Sequence, residues 1–233
     1  MKIMKLDTCK IVSILITAAI IVSAVFLYSS IYPIRHNFSN LENELTDYAN
    51  GEIQIQVIET KRFDKYTAVL FTDKNDESVV GMAALSKGMN QKWRVSDITF
   101  EKTAPIGNFP VTVENKRIYI LIGGINCTEP AASYEYVAYS TVDPETYFEK
   151  EIEEPNFIDV YNYEDYYFGG HWFGHIKIFD ADKNDITEEL SGHEYITWKN
   201  LNAGGVPLAD YLFFLMIAAF GLFAAYVLWK YND

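Results

Sequence analysis

The residues most capable of chemistry lie in the stretch IKIFDADKNDITEEL. Asp180, Asp182 and Asn184 fall at alternate positions there, which is the spacing of oxygen ligands in a calcium-binding loop. In an EF-hand loop, however, the sixth position is a glycine that permits a sharp turn, and the twelfth is a glutamate that gives two oxygens. Those positions hold Asp185 and Ser191 in this chain, so the stretch is not an EF-hand.

The same stretch contains a tetrapeptide, Asp-Lys-Asn-Asp, that occurs twice in the chain, at residues 73–76 and 182–185. Each copy follows an apolar segment and precedes a serine or threonine. Since Asp and Asn tolerate left-handed backbone and hydrogen-bond their own turn, they favour a reversal between two strands. We therefore predict a hairpin turn at both copies. A calcium site stays the alternative if Glu188 or Glu189 turns back toward the aspartates that begin the stretch.

Three of the four histidines, His171, His175 and His193, lie close together in the sequence. Neutral imidazoles are good zinc ligands. Four residues of extended strand span about 13 Å, so one zinc ion reaches both His171 and His175 only if a neighbouring glycine bends the chain. One hypothesis is therefore a zinc site completed by His193 and Glu194. The other is a set of half-buried or surface histidines, and no other cofactor is predicted.

Aromatic side chains are dense between residues 134 and 173. Tyrosine and tryptophan offer a large, rigid contact area with a polar tip, which suits the binding of a protein or of a sugar ring. Tyrosine is also common in strands for reasons of packing alone, so ordinary sheet packing is the alternative. The predicted binding face consists of Tyr161, Tyr163, Tyr166, Tyr167, Trp172 and Phe173.

Common catalytic motifs are missing from the sequence, which has no P-loop, G-x-S-x-G, G-x-G-x-x-G, S-x-x-K or H-E-x-x-H. The formal net charge is −13 for the chain and 15 − 29 = −14 over residues 33–207. Such acidity argues against nucleic acid as a partner and against docking on an anionic lipid surface. It permits cationic partners and metal ions.

Two apolar runs predict transmembrane helices, at residues 11–32 and 208–229. The first has no charged residue, and the second has one acid, Asp210, near its start. Helices of this length span a hydrocarbon core of about 30 Å. The first run also has the basic flank of a signal peptide. It is longer than a typical apolar core and lacks a clean small-residue cleavage site, so we expect an uncleaved anchor, with cleavage as the alternative.

The orientation of the two helices follows from their basic flanks. These are Lys2, Lys5, Lys10 and Lys230. The positive-inside rule therefore predicts that residues 1–10 and 230–233 are cytoplasmic and that residues 33–207 lie outside. Ends this short leave no room for a cytoplasmic signalling domain. Cys9 and Cys127 then lie on opposite sides of the membrane, so we expect no disulfide between them and a buried thiol at Cys127.

Small residues within both runs predict close helix packing, either between the two helices or with another subunit. They are Ser13, Thr17, Ala19 and Ser23 on the first helix, and Gly221 and Ala225 on the second. Neither run carries a charge near its middle, which argues against ion conduction and proton relay.

The segment between the two runs has mainly the pattern of β-strands. SNLENELTDYANG predicts a short amphipathic helix with a capping box of Ser39 and Glu42 and an end at Gly51. About ten turn-separated segments of alternating polarity follow it, the first at residues 52–59 and the last at residues 193–198. The predicted fold is therefore a membrane-anchored, mainly β protein. Two transmembrane helices flank an extracytoplasmic β-sandwich or bent barrel with one short amphipathic helix.

Two phrases, DKYTAVLFTDKNDESVVGMAALSKGMNQKWRV and IKIFDADKNDITEEL, resemble small membrane-tethered β-rich proteins of Gram-positive bacteria. The resemblance implies a cell-envelope location and no particular activity. Our first hypothesis is a non-catalytic two-pass membrane protein whose acidic ectodomain serves in binding, in sensing or as an accessory subunit of an envelope complex. Its partners would be the lipid bilayer and another membrane or envelope protein. The second hypothesis is a metal-dependent ectoenzyme with the three histidines as ligands.

Overall fold

A computed structural model of the chain describes residues 8–102, 105–112, 118–139, 144–162, 174–191, 199–202 and 208–230. These residues fall into two units. One unit contains the apolar helices α1 (Thr8–Ile31) and α4 (Leu208–Lys230). The other spans residues 34–203 and contains two short helices and all the described strands, so the prediction of a mainly β fold is confirmed.

The short helices are α2 (Leu41–Tyr48) and α3 (Thr187–Ser191). The strands in chain order are β1 (Ile55–Phe63), β2 (Tyr66–Asp73), β3 (Asp76–Lys87), β4 (Trp93–Lys102), β5 (Ile106–Thr112), β6 (Ile118–Gly124), β7 (Ser133–Tyr139), β8 (Pro144–Glu151), β9 (Phe157–Asn162), β10 (Gly174–Phe179) and β11 (Lys199–Asn202). The first ten coincide with predicted strands. The last predicted strand, at 193–198, lies outside the described residues.

Helix α1 is long and apolar enough to cross a membrane, with 24 residues, of which an 18-residue stretch has a mean hydropathy of 2.6. Helix α4 is also apolar and packs antiparallel to it, because residues met in rising order along α1 contact α4 in falling order. The contacts pair Lys10 with Trp229, Ser13 with Ala225, and Ile20 with Gly221. A Cβ at Gly221 would lie 2.5 Å from Cδ1 of Ile20, so the glycine permits this close approach.

The strands of the larger unit form three antiparallel sheets. A five-stranded sheet has the order β1-β2-β3-β4-β11, a central sheet the order β5-β6-β9, and a distal sheet the order β10-β7-β8. Three hydrophobic clusters join them in layers. The first lies between α2 and the five-stranded sheet, the second between that sheet and the central one, and the third between the central and distal sheets. The finer prediction, of a sandwich or bent barrel, stays a prediction.

Strands with continuous apolar runs occupy the inside of this layering. In β2, Tyr66, Ala68 and Leu70 face the central sheet, whereas Val69 and Phe71 face α2. Every residue of β2 is buried. In β6, Leu121 and Ile122 likewise enter different clusters. A strand covered on both faces needs apolar residues at consecutive positions, which explains why alternation is weak in these segments.

Helix α2 is present as predicted, but its predicted capping box is wrong. The N-cap is Asn40, without a side-chain capping hydrogen bond. Glu42 instead accepts hydrogen bonds from the backbone N–H of Val57, at 3.0 Å, and from Nζ of Lys74, at 2.8 Å. These two bonds fasten α2 to the five-stranded sheet, and the bond from Lys74 is of the charge-assisted kind, which is stronger than a neutral hydrogen bond. After α2 the chain turns at Gly51, which has a positive φ of 69°.

The two Asp-Lys-Asn-Asp copies share one local interaction. Asp76 accepts hydrogen bonds from the backbone and hydroxyl of Ser78, and Asp185 accepts the same pair from Thr187. The first copy forms the predicted β2–β3 hairpin turn. The second also reverses the chain as predicted, with an antiparallel bridge between Phe179 and Asp185, but it then leads into α3 instead of a second strand. The Asp185–Thr187 pair lies at the start of α3, where such bonds satisfy helix N–H groups.

Candidate functional site around Asp159

A buried carboxylate, that of Asp159 on β9, joins all three sheets. Its side chain is only 8% exposed. Lys61 reaches it from β1 of the five-stranded sheet, and Lys150 and Tyr134 reach it from β8 and β7 of the distal sheet. Asp159 itself belongs to the central sheet, opposite Ile122 of β6. The four side chains come from four different strands and form one interaction, which we call the Asp159 cluster.

The two carboxylate oxygens of Asp159 have different partners. Oδ1 accepts a hydrogen bond from Nζ of Lys150 and lies 3.7 Å from Nζ of Lys61. Oδ2 accepts a hydrogen bond from the hydroxyl of Tyr134 at 2.7 Å. Lys61 also donates to the carbonyl oxygen of Ile158. A buried charge is stable only when it is paired and hydrogen-bonded, and Asp159 meets both conditions.

The hydroxyl of Tyr134 links the cluster to the core between the central and distal sheets. Tyr134 is fully buried, its ring stacks on Phe157 with centroids 5.6 Å apart, and its oxygen lies 3.0 Å from the hydroxyl of Tyr161. Burial first, and then the neighbouring Tyr161 and Asp159, raise the pKa of Tyr134. The phenol therefore stays protonated and acts as a hydrogen-bond donor to the carboxylate.

A groove opens over the cluster and has an acidic rim. Its lining includes Lys61, Lys150 and Asp159 together with four glutamates, which are Glu59, Glu151, Glu153 and Glu154. The lining charges sum to 2 − 5 = −3. Burial and then the charge of Glu154 raise the pKa of Glu59, while Lys61 lowers it. Since the two lysines are occupied by Asp159, the glutamates dominate the charge that a ligand meets at the rim.

The size of this groove limits what it can hold. Its volume is about 210 Å³, which is smaller than the roughly 300–1,000 Å³ of pockets that enclose drug-sized ligands. The space suits one extended side chain or a small amine. Together with the charge of the rim, it favours the cationic end of a lysine or arginine as the occupant.

The predicted aromatic face is only partly described. Tyr161 is half-buried and packs against the core between the central and distal sheets, and its hydroxyl contacts Tyr134. The structure thus connects Tyr161 to the Asp159 cluster. The other five members, Tyr163, Tyr166, Tyr167, Trp172 and Phe173, lie outside the described residues. A binding role for this face stays a prediction.

The predicted zinc ligands are likewise only partly described. His175 lies on β10 opposite Val137 and is half-buried. Burial first, and then the charge of Lys177, lower its pKa, whereas Asp185 raises it, so the neutral imidazole is favoured near pH 7. His171 and His193 lie outside the described residues.

The predicted calcium ligands form a turn in which Asp180 serves as the central acceptor. Its carboxylate accepts hydrogen bonds from the backbone N–H of Asp182 and of Asn184, at 2.9 and 2.8 Å, and from the Asn184 amide at 2.9 Å. The Asn184 side chain is the main cause of the lowered pKa of Asp180. Across the described ranges, no group of three or more His, Cys, Asp or Glu side chains is arranged to hold a metal ion.

The small residues of the apolar helices fall on two faces. Ser13 is buried and donates its hydroxyl to the carbonyl oxygen of Ala225 at 2.8 Å, with Gly221 one turn away in the same contact. Thr17 donates to the carbonyl of Ser13 at 3.0 Å within α1. The remaining two small residues, Ala19 and Ser23, are exposed in this unit. A role for that second face in subunit packing stays a prediction.

Sequence reasoning missed the Asp159 cluster. Its members, Lys61, Tyr134, Lys150 and Asp159, are separated by as many as 98 positions (159 − 61) and form no local motif. One weak signal was present, because FIDVYN places a single acid inside an otherwise apolar and aromatic strand. An acid at such a position needs a buried partner.

Comparisons with known proteins return no match. No protein-family description fits the chain, and neither the curated proteins nor the solved structures contain a match. The resemblance to membrane-tethered proteins of Gram-positive bacteria therefore stays a prediction.

Replacing Asp159→Asn should lower the free energy of unfolding by about 1–3 kcal/mol, because the change leaves Lys61 and Lys150 without their charged partner. The partial exposure of both lysines, 47% and 43%, keeps the effect below that of a fully buried pair. Urea denaturation monitored by tyrosine and tryptophan fluorescence measures it. Glu77→Gln, an exposed acid in β3, is the matched control and should change stability by no more than about 0.5 kcal/mol. Equal stability of the two variants would contradict a stabilising role for the cluster.

Proposed function

We propose that the chain is a non-catalytic, two-pass membrane protein that holds an acidic β-rich unit outside the membrane, where it binds a cationic segment of another envelope protein. The observation that carries the binding claim is the groove over Asp159. Four glutamates surround a space of one side chain's size, and the two lysines in it are occupied by the buried aspartate. A lysine or arginine of the partner would pair its positive charge with these glutamates.

The membrane part of the proposal is supported by the surface of the helix pair. Large apolar side chains point outward on both helices, including Leu15 and Phe26 on α1 and Phe220 and Phe223 on α4. The hydroxyl of Ser13, in contrast, is satisfied inside the pair by a carbonyl of α4. Apolar groups outside and satisfied polar groups inside are what a hydrocarbon environment favours.

Orientation with residues 33–207 outside is supported by the basic residues at the helix ends. Lys10 lies over the ring of Trp229, and Lys230 lies over the ring of Tyr226. Lysine and aromatic residues together are typical of the boundary between membrane and water, and lysines prefer the cytoplasmic side. In this proposal α4 is the second membrane span, and the residues that precede α1 and follow α4 are cytoplasmic.

The groove should bind a short lysine- and arginine-containing peptide more tightly than a glutamate-containing peptide of equal length. Neutralising the rim with Glu153→Gln/Glu154→Gln should weaken this binding about fivefold, since exposed charge pairs contribute up to about 1 kcal/mol. Fluorescence anisotropy of the labelled peptide with the full chain in detergent measures it. The matched control is Glu188→Gln/Glu189→Gln, a second exposed glutamate pair on α3. Equal weakening by both pairs would contradict a specific role for the groove.

The native cysteines test the two-pass topology. Cys127 is buried, and burial raises its pKa to about 12, so its thiol should react slowly with a maleimide at neutral pH. Cys9 lies at the start of α1, and Lys230→Cys places a second thiol at the end of α4. Both should resist a membrane-impermeant maleimide in intact cells and react after lysis. Asn75→Cys, in an exposed turn of the β unit, should react in intact cells. Labelling of Lys230→Cys before lysis would contradict the second membrane crossing.

A further inference from the structure

One end of the five-stranded sheet is basic, although the segment that contains it has a net charge of −14. The β1–β2 turn and the β3–β4 hairpin lie side by side there, because Phe63 pairs with Tyr66, Tyr66 with Ser86, and Lys87 with Trp93. Residues 34–36, 62–66 and 86–94 make up this end, which we call the basic edge. Its charged residues comprise a single acid, Asp64, and six basic residues: Arg35, Arg62, Lys65, Lys87, Lys92 and Arg94.

The tip of the β3–β4 hairpin carries an unusual apolar side chain. Met89 is 87% exposed. Among the described residues it is the one large apolar side chain outside α1 and α4 that is exposed to this degree. Burial of an apolar side chain stabilises a protein, and a methionine held out at a hairpin tip forgoes that gain within its own unit. Its position beside the basic residues of the edge allows it to enter an apolar phase that those residues approach.

The connection from α1 enters the β unit at the basic edge. Ile34 is bridged to Trp93 by two backbone hydrogen bonds of 3.0 and 2.8 Å, and only Tyr32 and Pro33 separate it from the last residue of α1. Strand β11 runs antiparallel to β4, so its last residue, Asn202, points the chain toward the same edge before α4 begins. The segment that follows α1 therefore joins the β unit within the basic edge, and β11 runs toward that edge.

We propose that the basic edge docks on anionic phospholipid headgroups of the membrane that α1 enters, and that Met89 inserts among the lipids at the interface. This inference rests on the proposed membrane function. Lysine and arginine within about 10 Å of an anionic surface are attracted to it, whereas the acidic remainder of the unit is repelled. The net negative charge of the unit argues against docking by most of its surface, so only the basic edge is expected to contact the lipid. The long aliphatic part of each lysine lets its ammonium group reach the headgroups.

A fluorophore attached at Met89→Cys, in a Cys9→Ser full-length chain, tests the docking. The chain is reconstituted into vesicles of phosphatidylcholine alone and of equal parts phosphatidylcholine and phosphatidylglycerol, each with nitroxide-labelled lipid as quencher. Quenching should be strong only in the phosphatidylglycerol vesicles and should fall at high salt. The matched control label is at Asn75→Cys, in the β2–β3 turn at the opposite end of the sheet, and should not be quenched in either vesicle.

The lysines give a second readout. Each of Lys87→Gln and Lys92→Gln should lower the ratio of docked to undocked protein about fivefold. The matched substitution Lys74→Gln, at the other end of the sheet, should leave that ratio unchanged. Equal quenching in both kinds of vesicle, or no response to the lysine substitutions, would overturn the proposal. The label at Met89→Cys could also escape quenching by the lipid to a degree that rises with the protein-to-lipid ratio. That result would show that a second copy of the chain covers Met89, and it would overturn the lipid proposal.

Alkaline extraction of the same vesicles separates failure of the docking from failure of the membrane proposal. If the chain stays in the membrane fraction while the label at Met89→Cys is not quenched, the docking is wrong and the membrane anchor stands. If the chain is extracted, the proposed membrane function itself is wrong. In that case the docking is overturned with it.

Discussion

The carboxylate of Asp159 is the interaction on which the arrangement of the β unit depends. Most other contacts between the sheets are hydrophobic and not directional, although Asn108 on β5 also donates a hydrogen bond to the carbonyl oxygen of Gly174 on β10 at 3.0 Å. Asp159 adds a directional contact, because its two oxygens engage Lys61 on one neighbouring sheet and Lys150 and Tyr134 on the other. If one partner of the cluster were missing, the remaining buried charge would have a higher free energy than an apolar core. The packing of the sheets that pairs every member of the cluster is therefore favoured.

The charge around the groove follows in part from the contacts of Asp159. Lys61 and Lys150 are drawn to the buried carboxylate, and the glutamates around them, such as Glu153 and Glu154, are left to form an acidic rim. Other basic residues, such as Lys87 and Lys92, gather at the basic edge. In our proposals, the acidic groove binds a cationic partner and the basic edge of the same unit binds anionic lipid. Helix α1, which is long and apolar enough to cross a membrane, would anchor the unit there.

Those features that depend on local pattern were predicted well from the sequence. The strands β1–β10, helix α2 and the Asp73–Asp76 turn all follow from polarity and turn residues that are close in the chain. The predictions that failed depend on distant contacts. Glu42 was predicted to cap its own helix, but it bonds to Val57 and Lys74, which come close to it only when the chain folds. The Asp159 cluster was missed for the same reason, since no spacing in the sequence relates Lys61 to the residues of β7, β8 and β9.

Hydrogen exchange at individual amides of the full chain tests most directly whether Asp159 holds the sheets together. Local opening of the distal sheet exposes the amides of β7, β8 and β10 without unfolding the rest of the unit. With Asp159→Asn we predict that these amides exchange about tenfold faster, which corresponds to about 1.4 kcal/mol, while those of β2 and β3 change much less. Unchanged exchange in β7, β8 and β10, or an equal increase throughout the unit, would contradict the account.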